Sequence, residues 1–135
     1  MADYSVTAAS VVKTANTAIS EGIAGGTITA GMSVYIDTSD SSKLKACDAD
    51  VSATSVAAGV ALHGASSGQP LKYATSGNLT FNTAFTTGDV VCVSTTAGGL
   101  APYADLASGD FVTVMGIATS TSNLKLQINA SETAK

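Results

Sequence analysis

The chain contains a single histidine, and this limits the acid–base chemistry that its 135 residues could perform. Hydrolysis by a serine needs a histidine that takes the serine proton and a carboxylate that orients the histidine. Ser66 follows His63 closely, but the sequence Gly-Ala-Ser-Ser-Gly at residues 64–68 lacks the strand-to-helix context of a nucleophile elbow. We therefore expect His63 to form structural or surface hydrogen bonds. The sequence predicts no catalytic residue, and we expect the protein not to be an enzyme.

Four aspartates lie close together in the sequence and raise the question of a metal site. Asp37, Asp40, Asp48 and Asp50 fall within fourteen residues. A calcium loop places oxygen ligands at alternate positions around a central glycine and ends in a glutamate, and this spacing is missing. With a single histidine, no Cys/His arrangement could hold zinc, and no phosphate-binding Gly-Lys-Ser/Thr loop occurs. We expect solvated turn aspartates and predict no metal ion and no cofactor.

The two cysteines, Cys47 and Cys92, lie far apart and have no Cys-x-x-Cys spacing. Isolated cysteines of this kind commonly serve as small buried hydrophobic residues. We expect that role here, and a disulfide or redox role is the alternative.

The composition excludes several classes of partner. Charged residues make up 12% of the chain, the net charge is −4, and only six residues are Lys or Arg. These cations are too few for a basic face, so we predict neither nucleic acid nor a membrane as a partner. Aromatic residues make up 5% and tryptophan is absent, which counts against stacking on glycans or single-stranded nucleic acid. The abundance of small residues favours close-packed β-structure that packs against another protein.

The sequence predicts neither a signal peptide nor a membrane-spanning helix. The N-terminal residues lack the basic start and apolar core of a signal peptide, and no apolar run approaches the roughly 18–20 residues of a spanning helix. We expect synthesis in a cytoplasm.

The pattern of residues predicts an all-β fold, either a small β-barrel or a sandwich. Helix signals are weak after residue 20, because glycine, which costs about 1 kcal/mol per interior helical position, occurs thirteen times between residues 22 and 116. We therefore expect at most one short helix, at residues 103–109, where a proline precedes and a glycine ends the segment. Residues 54–63 and 69–74 predict the two strands of a hairpin that turns at Gly-Ala-Ser-Ser-Gly.

Two parts of the chain resemble each other. Residues 30–38 and 87–95 align at an offset of 57, and the same offset relates Gly59 to Gly116. The Leu-Lys pair that follows each glycine is related by an offset of 53. We interpret this as an internal duplication, with similar β-units at about residues 27–80 and 84–130 of a β-domain that covers residues 26–135.

Residues 1–25 differ from the rest, because they are polar and small and end in a glycine-rich break. We predict an extended N-terminal arm that lies on another subunit, and a weak first strand of the main sheet is the alternative. The residues of this segment that we expect to contact a neighbouring subunit or another protein are Asp3, Tyr4, Val6, Val11, Val12 and Ile19.

Three stretches resemble the capsid decoration, or cement, proteins of tailed bacteriophages. They are Ala-Gly-Met-Ser-Val-Tyr-Ile-Asp at residues 30–37, Gly-Val-Ala-Leu-His-Gly-Ala-Ser-Ser-Gly-Gln-Pro-Leu at residues 59–71 and Gly-Ile-Ala at residues 116–118. The resemblance covers about residues 25–129. It implies a small barrel-like virion protein that binds the outside of the assembled head, with the major capsid protein as its partner. It also implies a homo-oligomer, most simply a homotrimer at local three-fold positions. The six contact residues of the N-terminal arm would then touch the capsid or a neighbouring subunit.

An adhesin or fibre module that binds a receptor or glycan is the alternative function. Such a module would use exposed polar loops, and the candidates are residues 39–42 and 120–123. The scarcity of aromatic residues counts against it.

Overall fold

The computed structural model describes residues 3–135 of the chain. These residues form an all-β fold in which strands hold 46% of the chain and the α-helix is a single turn, so the predicted fold class is confirmed. In chain order the elements are β1 (Val12–Lys13), β2 (Ala18–Ile23), β3 (Ser33–Asp37), β4 (Lys43–Ala46), α1 (Ser52–Ser55), β5 (Gly59–Ala61), β6 (Pro70–Thr80), β7 (Val90–Val93), β8 (Leu100–Pro102), β9 (Phe111–Ala118) and β10 (Asn123–Ala134), with 3₁₀ turns at Ala8–Ser10 and Tyr103–Asp105.

The strands form an antiparallel sheet that curls into half a barrel. Its main path follows the order β4-β3-β5-β6-β10-β9-β7-β8, and β1 and β2 pair with β6 outside this path. β2 pairs with residues 70–76 of β6 and β1 with residues 79–80, while β5 pairs with residues 73–74 and β10 with residues 76–80. A strand has only two edges. One edge of β6 is therefore occupied by β1 and β2, and the other edge is shared by β5 and β10.

The two halves of the sheet have the same strand order. The offset of 57 residues relates β3 to β7, β4 to β8 and β5 to the end of β9, and the offset of 53 relates β6 to β10. The halves differ in one pairing, since β5 pairs with two residues of β6 whereas its counterpart β9 pairs with β10 along most of its length. An origin by duplication stays a prediction, as do the domain boundaries drawn from it.

The turns that lead into β3 and β7 are also alike. Gly31 donates its N–H to the carbonyl oxygen of Ala61 over 2.8 Å, and Gly88 donates to that of Ala118 over 2.7 Å. The φ angles are +90° at Gly31 and +91° at Gly88, a region that glycine adopts without steric cost. The repeated glycine of the sequence therefore marks the same turn in each half.

Two clusters of buried side chains form the core. Along β6 Leu71 and Tyr73 are buried and Lys72 between them is exposed, as expected for a half-buried strand. Each fully buried aliphatic side chain stabilises the fold by about 1.5–3 kcal/mol. The larger cluster includes Val60, Leu79, Val91, Met115 and Leu124, and the smaller one includes Ile28, Val34, Leu44, Leu71 and Tyr73.

The α-helical turn lies where we predicted a strand. α1 covers Ser52–Ser55, whereas the hairpin strand was expected to begin at Thr54. Thr54 Oγ1 donates to the carbonyl oxygen of Asp48 over 2.8 Å, and local side-chain bonds of this kind compete with strand pairing. In the segment predicted as helix, residues 103–109, only Tyr103–Asp105 is helical, and it forms a 3₁₀ helix.

Cys47 and Cys92 are buried and carry free thiols, so their predicted role as small buried residues is confirmed. Burial raises the pKa of the Cys47 thiol to about 12 and that of Cys92 to about 11. Both therefore remain thiols at neutral pH.

Polar side chains hold the turn between β3 and β4. Asp37 accepts hydrogen bonds from Lys45 Nζ over 2.8 Å and from the backbone N–H of Ser39 over 3.0 Å. The ammonium group of Lys45 lies 3.0 Å from Asp40 as well. The bonds from Lys45 and Ser39 lower the pKa of Asp37 to about 2.

The lowered pKa of Asp37 should make the stability of the fold depend on pH in the acid range. Its pKa is lower in the folded protein than the ordinary value of about 3.9, so the ionised group stabilises the fold above about pH 4 and loses this effect as the pH falls towards 2. We expect Asp37→Asn to lower the thermal midpoint at neutral pH, and we expect the gap to the wild type to close between about pH 4 and pH 2. Circular-dichroism melts over this range measure the gap, with Asp105→Asn as the control for charge. A constant gap would contradict the assignment.

Two glycines permit the close approach of strands at equivalent places in the two halves. A Cβ at Gly59 would collide with the carbonyl oxygen of Ala74, and one at Gly116 would collide with that of Lys125. We expect Gly59→Ala and Gly116→Ala each to lower the free energy of unfolding by about 1–3 kcal/mol, because backbone must move to admit the methyl group. Urea denaturation measures the change. In the control Gly26→Ala the new Cβ meets nothing within 4 Å, so its effect should stay within about 0.5 kcal/mol.

Candidate functional site

Residues 3–25, which we call the strap, run across their own β-domain. Tyr4 donates its N–H to the carbonyl oxygen of Leu100 in β8 over 2.8 Å. β1 and β2 then pair with β6, and Gly25 donates its N–H to Leu44 in β4 over 2.7 Å. The strap therefore binds both outer strands of the sheet and its central strand.

The strap is extended, but it does not reach away from the domain as an arm would. Its strands β1 and β2 belong to the chain's own sheet, which was the alternative that we considered for this segment. The physical reason is β6, because its N–H and C=O groups along one edge would otherwise be unpaired. Residues 1–2 of the predicted arm lie outside the described residues. Contact between the strap and another subunit or a capsid stays a prediction.

The end of the strap closes the first half of the sheet. Ala24 forms a parallel bridge with Leu44. As a result the smaller core cluster is surrounded by a ring of neighbouring strands, in the order β6, β2, β4, β3 and β5. Gly22 allows this contact, since a Cβ there would lie 2.9 Å from Leu44 Cδ1.

Polar side chains fix the beginning of the strap. Asp3 Oδ1 accepts a hydrogen bond from Ser94 over 2.6 Å, and the Tyr4 hydroxyl donates to Asp89 over 2.7 Å. Burial of Tyr4 and the nearby carboxylate of Asp89 raise the pKa of the phenol. The Tyr4 ring packs edge-on against Phe85 with 4.9 Å between centroids. Two of the six predicted contact residues are thus engaged within the chain.

The four apolar residues predicted to make contacts divide into two pairs. Val6 and Val11 pack into the larger core cluster. Val12 and Ile19 are 54% and 39% exposed. Only this second pair offers large apolar side chains to a partner.

Val12 and Ile19 lie in a groove between the strap and the β5–β6 hairpin. The groove has a volume of about 570 Å³, and Val11 and Leu62 complete its apolar lining. Its size and lining would accommodate one or two side chains of a partner. The groove brings together strap residues that the sequence singled out and hairpin residues that it did not.

The charged lining of the groove comes from Lys13, Glu21 and Lys72. Glu21 lies opposite Lys72 in the pairing of β2 with β6. None of the ion pairs within residues 3–135 involves Lys13 or Lys72, whereas Lys43 and Lys45 are paired with aspartates. The groove therefore carries a net positive charge on a chain whose overall charge is −4.

His63, at the rim of the groove, forms the hydrogen bonds expected of a structural residue. Its Nε2 accepts the N–H of Lys72 over 3.0 Å, and its Nδ1 lies 2.9 Å from the carbonyl oxygen of Gly64. A neutral ring with its proton on Nδ1 satisfies both contacts. The imidazole thus links the turn of the hairpin to β6.

β2 has a free edge beside the groove. Ala24 donates its N–H towards β6, to Gln69, and the next residue, Gly25, donates in the opposite direction, to Leu44. Because backbone groups alternate in direction along an antiparallel strand, those of Glu21 and Ile19 also point away from β6. Among the described residues no strand pairs with β2 there. Two N–H and two C=O groups are therefore available to a partner.

The structure separates the four clustered aspartates into two pairs. Asp37 and Asp40 lie around Lys45. Asp48 instead accepts a hydrogen bond from the backbone N–H of Asp50 over 2.9 Å. The negative charge of Asp48 is the main reason that the pKa of Asp50 is raised. Within residues 3–135 no three side chains of His, Cys, Asp or Glu are grouped so as to hold a metal ion.

The two loops proposed for an adhesin are turns between neighbouring strands. Residues 39–42 join β3 to β4, and Ser41 and Ser42 adopt φ angles of 53° and 57°. Residues 120–123 join β9 to β10, where Ser120 Oγ accepts the N–H of Asn123 over 3.1 Å.

The sequence pointed to Val12 and Ile19 but missed Lys13, Leu62 and Lys72. These residues come together because β2 pairs with β6 about fifty positions later in the chain, and sequence spacing contains no signal for that register. A lysine opposite a glutamate is visible only once the strands are paired.

Comparison with known proteins adds no identification. No family model, no curated protein and no solved structure matches the chain. Of the helices in the described part of the chain, none has the length and apolar character needed to cross a bilayer.

Proposed function

We propose that the protein is a structural virion protein that binds the outside of an assembled phage capsid and stabilises it at the joints between major capsid subunits. The resemblance of residues 30–37, 59–71 and 116–118 to phage cement proteins supports this proposal. The observation that carries it is the groove on the strap, where Val12 and Ile19 are exposed beside a free strand edge. Such a surface suits attachment to another protein.

Burial of apolar surface would supply the attraction. Covering a half-exposed Val or Ile side chain contributes about 1 kcal/mol, so one groove alone binds weakly. A homotrimer at a local three-fold position would present three grooves to the lattice, and linked sites bind far more tightly than single ones. The proposed partner is the major capsid protein, and the proposed location is the outer surface of the virion after synthesis in the host cytoplasm.

Stabilisation would follow from mass action. A protein that binds the expanded shell and not its separated subunits lowers the free energy of the shell, in proportion to the logarithm of free protein over its dissociation constant. Internal DNA pressure pushes subunits apart, and a protein bound across their joint opposes this separation.

Co-sedimentation with expanded empty heads tests the proposal. We expect the wild type to saturate heads as a trimer, and we expect the double variant Val12→Ser, Ile19→Ser to bind them at least about tenfold more weakly, because two apolar contacts are lost. Both side chains are exposed, so the thermal midpoint should hardly change. Light scattering checks the oligomeric state.

The matched control is Val51→Ser, Ile36→Ser, which removes two equally exposed side chains outside the groove. It should bind heads as the wild type does. Deletion of residues 1–20 is a poorer test, because it also removes β1 and the first half of β2, which pair with β6. A monomer that ignores heads and binds cell-surface glycan would contradict the proposal and favour an adhesin.

A further inference from the structure

We infer that the groove and the free edge of β2 together bind an extended segment of the partner protein that carries an apolar residue next to acidic ones. The segment adds as a short strand beside β2, places its apolar side chain between Val12 and Ile19, and pairs its carboxylates with Lys13 and Lys72. This inference rests on the proposed function, since it describes the part of the capsid protein that the groove would hold.

The free edge determines the conformation of the bound segment. Ile19 and Glu21 direct their N–H and C=O groups away from β6, and β2 is exposed along most of its length. A segment satisfies these groups only if it is extended, because a helix uses its own backbone groups internally. The closure of the strap onto β4 at Ala24 ends the free edge, so the added strand is short.

The groove determines one side chain of the segment. Its apolar lining, Val11, Val12, Ile19 and Leu62, includes one residue of the strand whose edge is free, Ile19. Successive residues of an added strand point to opposite faces, so alternate side chains of the segment face the groove. A residue of the size of Val, Ile or Leu fills this space and covers the exposed surface of Val12 and Ile19.

The charged side chains of the groove determine which residues stand beside the apolar residue of the bound segment. Lys13 and Lys72 lack ion pairs within the described chain, and only Glu21 offsets them in the groove. The chain as a whole is acidic, so this patch differs in sign from its surroundings. An acidic segment meets a net positive charge here on a chain whose overall charge is −4, and this complementarity favours the site.

Selection from a displayed library of random heptapeptides, followed by fluorescence anisotropy with the synthetic winning peptides, tests the inference. We expect peptides with a Val, Ile or Leu beside Asp or Glu. The variant Lys13→Glu, Lys72→Glu should weaken their binding at least about tenfold. Glu21→Pro removes an outward N–H and spares the pairing with β6, and it should weaken binding at least about tenfold relative to Glu21→Gln, which removes the same charge and keeps the N–H. The control Lys125→Glu, a lysine outside the groove, should leave the affinity within about twofold.

Other outcomes overturn the inference. It fails if no peptide is enriched, if the enriched peptides lack acidic residues, or if Lys125→Glu weakens binding as much as the groove variants do. It also fails if sedimentation shows that the groove variants abolish self-association of the wild type, since the groove then holds a second copy of this chain.

Head binding, measured with the same variants, separates this inference from the proposed function. Peptides that bind as expected while the wild type ignores heads would leave the groove chemistry standing and end the capsid proposal. Heads that bind the wild type and all groove variants alike would support capsid attachment and overturn the role of the groove.

Discussion

The structure depends on the pairing of the strap with β6. β6 is eleven residues long and is shared by both parts of the sheet, with β5 and β10 on one edge. The other edge would expose a continuous row of N–H and C=O groups without β1 and β2. Unpaired edges of this length attract other chains, so covering the edge gives the domain a defined surface as well as stability.

The same pairing that covers β6 creates a new edge one strand further out. β2 carries exposed Ile19 and Glu21 on that edge, and the adjacent groove collects Val12 and Leu62. The new edge is short, since the strap turns onto β4 at Ala24. A short edge with one apolar groove and two unpaired lysines would distinguish between strands, as the proposed binding requires, whereas the bare edge of β6 would accept almost any strand.

Small residues allow the strands to pack this closely. Gly59 and Gly116 lie so near to backbone carbonyl groups that a Cβ has no room, and Gly22 lies against Leu44 at the closure of the strap. A chain rich in Gly, Ala, Ser and Thr gains tight packing, but it has few long side chains with which to carry charge. The few lysines that remain unpaired consequently stand out, and two of them line one groove.

The sequence by itself determined the class of fold and the equivalent elements of its two halves. Frequent glycine disfavoured long helices, alternation indicated strands, and the repeated glycines at Gly31 and Gly88 marked a turn that recurs with nearly the same φ angle. These are local signals, and local signals are what a sequence displays directly. The partner of each strand is a different matter. Only the tertiary structure decided that the strap returns to its own sheet, that β2 lies against residues some fifty positions away, and that Lys13 and Lys72 thereby face the same groove. Strand register depends on contacts between distant residues, and these contacts exist only once the chain has folded.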